Sequence, residues 1–261
     1  MLVLRPGALG DALLAVPALR ALRRTYGHLT LAGHATTAHF LASVGEIDRG
    51  LAFDDPTLVW LFTGPPRQES VVAWMAERPR GLPAGSVLAA SRPPGMDRHC
   101  GRYLLETLAP LGIDLSLDDH SLDLAPADSD EILVHPGSGS RAKNWPAERF
   151  ASVIRSLKSP VRLIVGEADN EAATRLEKCL GHRLERLESP PLNTLAERLA
   201  GCRAYLGNDS GVSHLAGLSG APTTVMFGPT DANVWRPIGP EVHVLEFETP
   251  PREVAARLEG R

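Results

Sequence analysis

Residues 132–156 read ILVHPGSGSRAKNWPAERFASVIRS. The apolar run Ile132–His135 reads as a strand, a loop of small residues follows, and Ala147–Ser156 reads as a helix. Strand, glycine-bearing loop and helix in that order open an α/β unit with parallel strands. Toward the C-terminus the alternation continues, with strands predicted at Arg162–Val165, Leu184–Leu187, Tyr205–Gly207, Thr224–Phe227 and Val242–Leu245. Helices are predicted between them, notably Glu171–Cys179 and Thr194–Ala200. Toward the N-terminus the text turns polar and proline-containing at Leu124–Asp130 (LAPADSD), which reads as a linker. Beyond it lies a second alternating set, with strands predicted at Leu2–Arg5, Leu29–Gly33, Gly50–Phe53, Val59–Phe62 and Val87–Ala90. Ala12–Thr25 is predicted helical because Leu13, Val16, Leu19 and Leu22 recur at helical spacing, with Pro17 expected to bend it. The expectation is an α/β protein of two Rossmann-like domains, residues 1–126 and 127–261. The ligand site is expected in a cleft between them, beyond the carboxyl ends of the strands.

Composition narrows the functional classes. Of 261 residues, 43% are hydrophobic and 22% charged, as in a soluble protein with a substantial core. A net charge of −4 argues against a nucleic-acid partner. The cysteines, Cys100, Cys179 and Cys202, form no CxxC pair and suit a reducing, cytoplasmic setting. No run is apolar enough for a secretion signal or a membrane span. Arg20, Arg23 and Arg24 cluster at the end of the first helix and leave peripheral membrane contact open, although basic residues also suit a helix C-terminus. Only Lys143, Lys158 and Lys178 among the 27 basic residues are lysines, so each is more informative than usual.

Three strand-to-helix loops carry the chemistry. In Leu4–Asp11 (LRPGALGD), Gly7 and Gly10 allow a tight turn and close approach by a ligand. Asp11 follows in the first helical turn, where a carboxylate can take a proton from a hydroxyl or merely complement the helix dipole. The glycine spacing is not GxGxxG, so a nicotinamide cofactor and a dehydrogenase are poorly supported. In His135–Pro146 (HPGSGSRAKNWP), small residues expose backbone N–H groups, Ser138 and Ser140 add hydroxyls, and Arg141 and Lys143 supply countercharge. That is what a phosphate site needs, and it is favoured over a plain flexible turn. In Gly207–His214 (GNDSGVSH), a helix start again offers N–H groups, with Asp209 and His214 adding polar functions. Phe227–Asp231 (FGPTD) is placed to close the pocket wall. For metals, Asp128-Ser129-Asp130 and Asp54-Asp55 read as solvated turns, and no metal or other cofactor is expected. A lysine and a helix N-terminus together can stabilise a leaving diphosphate without one.

The blocks RPGALGDALLAVPAL (5–19), HPGSGSRAKNWP (135–146), GNDSGVSHLAG (207–217) and FGPTD (227–231), in this order, resemble glycosyltransferase family 9. These are the ADP-heptose:lipopolysaccharide heptosyltransferases, which have the GT-B fold. The resemblance implies an inverting, metal-independent transfer of heptose from an ADP-linked nucleotide-sugar to a glycan or glycolipid acceptor. The expected location, from the cysteines, the lack of a signal and the Arg20, Arg23 and Arg24 cluster, is the cytoplasm or the inner face of the membrane. The resemblance matches Asp11 to the general base and Lys143 to the residue that steadies the donor's phosphates. Asp209 matches an acid that contacts the donor sugar, while Gly211, Val212 and His214 match the phosphate-binding helix start. Ser138 and Ser140 match small hydroxyl positions beside the phosphates, and Glu167, in the Val165-Gly166-Glu167 turn, matches a nucleoside contact. Family members are usually longer, and the shortfall is expected in the acceptor-binding first domain. Arg92, Arg98, His99 and Arg102 could hold an anionic acceptor there, but surface arginines in an arginine-rich chain are the favoured explanation. The tail Thr249–Arg261 is short for the helix that crosses both domains in GT-B enzymes. A UDP- or GDP-sugar donor and a non-catalytic nucleotide- or sugar-binding homologue are the alternatives.

Overall fold

A computed structural model describes residues 1–65, 70–116 and 120–260. In the first unit, Met1–Asp119, the strands are Leu2–Arg5 (β1), Thr30–Gly33 (β2), Arg49–Ala52 (β3), Val71–Trp74 (β4) and Val87–Ala89 (β5). The helices are Leu9–Leu13 (α1), Val16–Tyr26 (α2), Ala35–Ser43 (α3), Trp60–Thr63 (α4) and Cys100–Glu106 (α5). The sheet order is β3-β2-β1-β4-β5 and every pairing is parallel. β1 and β4 are buried along their whole lengths, as strands covered on both faces must be.

Two expectations change here. The Val59–Phe62 stretch is helical, because Asp55 caps the turn at Thr57 and starts the chain coiling. Trp60 and Leu61 then face the core while Val59 and Phe62 stay in solvent. The strand at this place in the sheet is Val71–Trp74 instead. The predicted helix Ala12–Thr25 is two helices, α1 and α2, parted at Leu14 and Ala15. Pro17 therefore lies in the first turn of α2, where its missing N–H has no intrahelical partner to lose.

The second unit, His120–Arg261, holds Ile132–His135 (β6), Val161–Val165 (β7), Glu185–Glu188 (β8), Ala204–Asn208 (β9), Thr223–Phe227 (β10) and Val242–Glu246 (β11). Its helices are Ala147–Ser156 (α6), Asn170–Leu180 (α7), Leu192–Ala200 (α8), Gly211–Leu218 (α9), Ala232–Trp235 (α10) and Pro251–Leu258 (α11). The sheet is again parallel, ordered β11-β10-β9-β6-β7-β8. Ile132, Val134, Leu163 and Leu206 from the sheet pack against Phe150 and Ile154 of α6 and Leu176 of α7. Removing a ring such as Phe150, which is fully buried, costs about 3–5 kcal/mol. The C-terminal helix α11 buries Val254, Ala255 and Leu258 in this same core. Arg261, the end of the tail, lies outside the described residues.

The division between units falls at 119/120, ahead of the 126/127 boundary. Leu122 is buried and its N–H donates to Leu218 O at 2.7 Å. Ala127 N–H reaches Glu197 O at 3.1 Å, and Ser129 N–H reaches Gly201 O at 2.8 Å. The polar text at 124–130 is thus a surface segment hydrogen-bonded onto the second unit, not a free linker.

Candidate functional site

The strand order of the second unit reverses between β6 and β9, so the loops leaving their carboxyl ends diverge and leave a crevice. β6 ends at His135 and β9 at Asn208, and both informative loops begin there. Asn208, fully buried, ties them together. Its Oδ1 accepts from Trp145 N–H at 2.8 Å, and its Nδ2 donates to Pro136 O at 2.9 Å and Gly137 O at 3.2 Å. The loop after β6 is thereby pinned at both ends. A side chain at Gly137 would run into Asp169, its Cβ falling 1.9 Å from Oδ1, so only glycine lets the loop pass.

Asp209, 7% exposed, is the centre of the polar cluster. Its Oδ2 accepts from Lys143 Nζ at 2.8 Å and from Thr230 Oγ1 at 2.8 Å, while His214 Nε2 lies 4.0 Å from Oδ1. A carboxylate this deeply placed needs a cation. Lys143 supplies one while remaining about a third exposed. Directly after Asp209, Ser210 caps α9 by accepting from Ser213 N–H. Gly211 and Val212 occupy the first turn, where backbone N–H groups have no partner within the helix. The structure thus brings together Lys143, Asp209, Gly211, Val212 and His214, and adds Thr230 from the loop after β10.

Other expected residues are placed differently. The Ser138 hydroxyl lies 2.6 Å from Asn144 Oδ1 and 2.7 Å from Ser140 O, folding its own loop. Ser140 is exposed on that loop. Glu167 is exposed in the turn after β7, and the residue of that turn which enters the network is Asp169. Its Oδ2 accepts from Gly166 N–H at 2.9 Å and lies 2.9 Å from His135 Nε2. Burial pushes the Asp169 carboxyl up, but the His135 contact and the Gly166 N–H outweigh it, leaving it below the ordinary aspartate range. A cavity of about 570 Å³ opens between α6 and α7, lined in part by Pro136, Trp145, Phe150, Asp169 and Cys179. Across it, Arg141 and Arg175 both pair with Glu171.

In the first unit, β1 ends in Arg5, which is 1% exposed. Arg5 Nε donates to Asp11 O at 3.1 Å and Nη2 lies 3.4 Å from Asp11 Oδ1. Burial pushes the guanidinium pKa down, and the Asp11 charge opposes that. Ala8 N–H donates to Asp11 Oδ2 at 2.9 Å, which caps α1. Gly7 holds φ +136°, and a Cβ there would press on Asp11 Oδ2 at 2.8 Å. The Asp11 side chain is fixed from below yet 37% exposed. Arg98 pairs with Asp97 at 3.0 Å and Glu106 at 3.1 Å, and Arg102 pairs with Glu106 at 2.8 Å. Of the basic cluster on α2, Arg20 pairs with Glu46 at 2.6 Å and Arg23 with Asp48 at 3.4 Å. Asp130 is held by Arg203 at 2.9 Å and Asp55 by Thr57. Among the described residues no three His, Cys, Asp or Glu side chains are grouped as metal ligands, and no helix is long and apolar enough to cross a membrane.

His135, Asp169, Ser210, Asn208 and Thr230 have clear places in the site that the sequence did not assign to them. The available signal was position: His135 and Asn208 are polar residues ending otherwise apolar strands.

Residues 98–257 match the model of glycosyltransferase family 9 (heptosyltransferase). The chain belongs to this family. Among its relatives, lipopolysaccharide heptosyltransferase 1 of Escherichia coli K12 is 30% identical over 123 residues, covering 45% of this chain and 38% of that enzyme. The sequence match thus spans well under half of the relative's length. Whole-chain likeness appears in the fold. A family 9 glycosyltransferase from Veillonella parvula superposes with a TM-score of 0.82 at 19% identity, covering 100% of this chain and 97% of that one. E. coli heptosyltransferase WaaC with ADP gives 0.74 at 18% identity, covering 99% and 98%. The fold is GT-B, built of two Rossmann-like domains.

Proposed function

We propose that this family member is a glycosyltransferase that moves a sugar from a nucleotide-activated donor to a glycan or glycolipid acceptor. The proposed donor is ADP-heptose, and the transfer is inverting and metal-independent. The observation that carries the reading is the buried Asp209, which holds Lys143 and Thr230 beside the first turn of α9. An ammonium fixed next to a helix N-terminus is suited to a diphosphate. In the proposed reaction the bond from the sugar's anomeric carbon to the phosphate oxygen breaks. The electron pair leaves with the nucleoside diphosphate, where Lys143 and the N–H groups of Gly211 and Val212 meet the developing charge. The acceptor hydroxyl forms the new bond from the opposite side and gives its proton to Asp11. His214 and Asp209 would contact the donor, Ser138 and Ser140 the phosphate side, and Glu167 the nucleoside. The adenine nucleotide is supported by the relative solved with ADP, and the glycolipid acceptor by the relative named for lipopolysaccharide. The free cysteines, Cys100, Cys179 and Cys202, fit a cytoplasmic setting. Contact with the inner face of the membrane would come through the acceptor, since Arg20 and Arg23 are spent on Glu46 and Asp48.

The test is calorimetric titration with ADP, UDP and GDP in the presence of a chelator, on the wild type and on Lys143→Ala. Preferential ADP binding, weakened in the variant, supports the reading. Preference for UDP or GDP moves the donor to another nucleotide-sugar. Absence of binding to all three overturns it.

A further inference from the structure

Asp169, His135 and Ser210 come from three separate places: the start of α7, the end of β6 and the cap of α9. His135, 3% exposed, joins them, with Nε2 2.9 Å from Asp169 Oδ2 and Nδ1 3.2 Å from Ser210 Oγ. With the His135 ring neutral, hydrogen accounting sets the direction of each bond. The Asp169 carboxylate only accepts, so His135 Nε2 carries a hydrogen. In the neutral ring Nδ1 is then an acceptor and takes the Ser210 hydroxyl hydrogen. The Ser210 lone pairs are left for Ser213 N–H, at 3.3 Å, which is the capping bond of α9. The Ser213 hydroxyl donates to Asn208 O and receives the Tyr205 hydroxyl, whose oxygen is 2.9 Å away. With that tautomer each hydroxyl hydrogen of the chain has one acceptor: Ser210 gives to His135, Ser213 to Asn208 O and Tyr205 to Ser213. A hydroxyl that rotated would lose its cap or face a second donor.

We propose that Asp169 and His135 form a positioning relay, which orients the Ser210 hydroxyl so that the first turn of α9 is held ready for the diphosphate of the donor. This rests on the reading of the second unit as a nucleotide-sugar site. Neither residue touches the donor in this account. They act through Ser210, by setting which of its sides donates and which accepts. Asp169 in turn accepts from Gly166 N–H, and its Oδ1 occupies the space that a Cβ at Gly137 would need, so the relay lies against the loop that carries Lys143.

The experiment combines nucleotide titration with ¹⁵N spectroscopy of the histidine rings, His135 being assigned by the signals lost in His135→Gln. In the wild type Nε2 should carry the hydrogen and Nδ1 should be bare; the reverse tautomer overturns the relay. His135→Gln and Ser210→Ala should weaken binding of ADP, or of whichever nucleotide the wild type takes, by about tenfold, the scale of a lost cap. Ser210→Thr, which keeps the hydroxyl, should bind as the wild type does. Leu199→Ala, in the core of α8, should lower the melting temperature and leave affinity alone. The relay is rejected if the first two variants bind normally, or if Leu199→Ala weakens binding as much as they do. If the wild type binds no nucleoside diphosphate, the donor reading falls and takes the relay with it, whereas normal wild-type binding with unaffected variants removes the relay alone.

Discussion

The two units are built on one plan and finish it differently. Each is a parallel sheet whose strand order reverses beside its first strand, at β1 and β4 in one and at β6 and β9 in the other. In the first unit the crevice at the end of β1 has a short polar inventory, with buried Arg5 bracing a half-exposed Asp11. In the second, His135 bonds Asp169 and Ser210, Asn208 ties down the loop after β6, and Asp209 holds Lys143 and Thr230, so largely buried side chains join loops far apart in sequence. One crevice presents the Asp11 carboxylate, the proton acceptor of the proposed reaction, and the other a framework. A proton acceptor needs little more than a fixed position, whereas a site for a multiply charged group needs several donors held against their mutual repulsion. The family match follows the same division, since residues 98–257 take in nearly all of the second unit and only the end of the first.

Substitutions that touch one crevice and spare the other test this contrast. The largest effect is expected from Asp11→Asn, which keeps the acceptor for Ala8 N–H but removes the base. Turnover should fall about 10²–10⁴-fold, the usual share of general-base catalysis, while nucleotide binding measured by calorimetry stays at the wild-type level. Undiminished turnover would remove Asp11 from the chemistry. Next comes Asn208→Leu, which strips partners from Trp145 N–H and from two carbonyls. At about 1–3 kcal/mol for each buried group left unpaired, urea unfolding should show a loss of at least ~3 kcal/mol. A loss under ~1 kcal/mol would mean that the loop holds without its tie. Lys143→Ala removes one charge-assisted bond, worth about 1.5–3 kcal/mol, and nucleotide affinity should drop about ten- to a hundredfold. An unchanged affinity would leave Asp209 and Lys143 as a structural pair only.

The contrast also explains what the sequence made legible. Strands β6, β9 and β10 and helix α6 follow from local runs, because a buried parallel strand is written as a mostly apolar word and a helix as a spaced one. The same locality misled at Val59–Phe62, an apolar run that coils because Asp55 caps the turn before it. In the site, Lys143, Asp209 and His214 stand in short blocks whose residue types announce charge. His135 and Asp169 carry no such mark. Their significance lies in a bond between residues 34 apart and another between residues 75 apart, and only the folded sheet brings those together. Asp11 was visible as an acid at a helix start, but Arg5 beneath it reads in the sequence as no more than the last residue of a strand.

The smallest expected effect concerns acid. Asp169 sits below its ordinary value, burial opposing and the His135 contact and Gly166 N–H prevailing. Glu131 is lowered first by its hydrogen bonds from Arg162 and Glu177 by those from Arg186, with burial opposing in both. A carboxyl held lower in the folded state binds its proton more weakly there than in the unfolded chain. Its contribution is therefore complete above the unfolded value, about 3.9–4.3 for Asp and Glu, and is lost as pH falls through the folded one. In the first unit, lowered carboxylates such as Asp55 and Asp97 stand in open solvent, where such contacts contribute little to stability. Hydrogen-exchange mass spectrometry from neutral pH down through the carboxylate range should therefore show peptides of residues 120–260 losing protection before those of residues 1–65. Asp169→Asn should lower the stability of the second unit at neutral pH and flatten its acid dependence. Earlier opening of the first unit, or an acid slope untouched by Asp169→Asn, would mean that the buried carboxylates of the second unit do not set its acid stability.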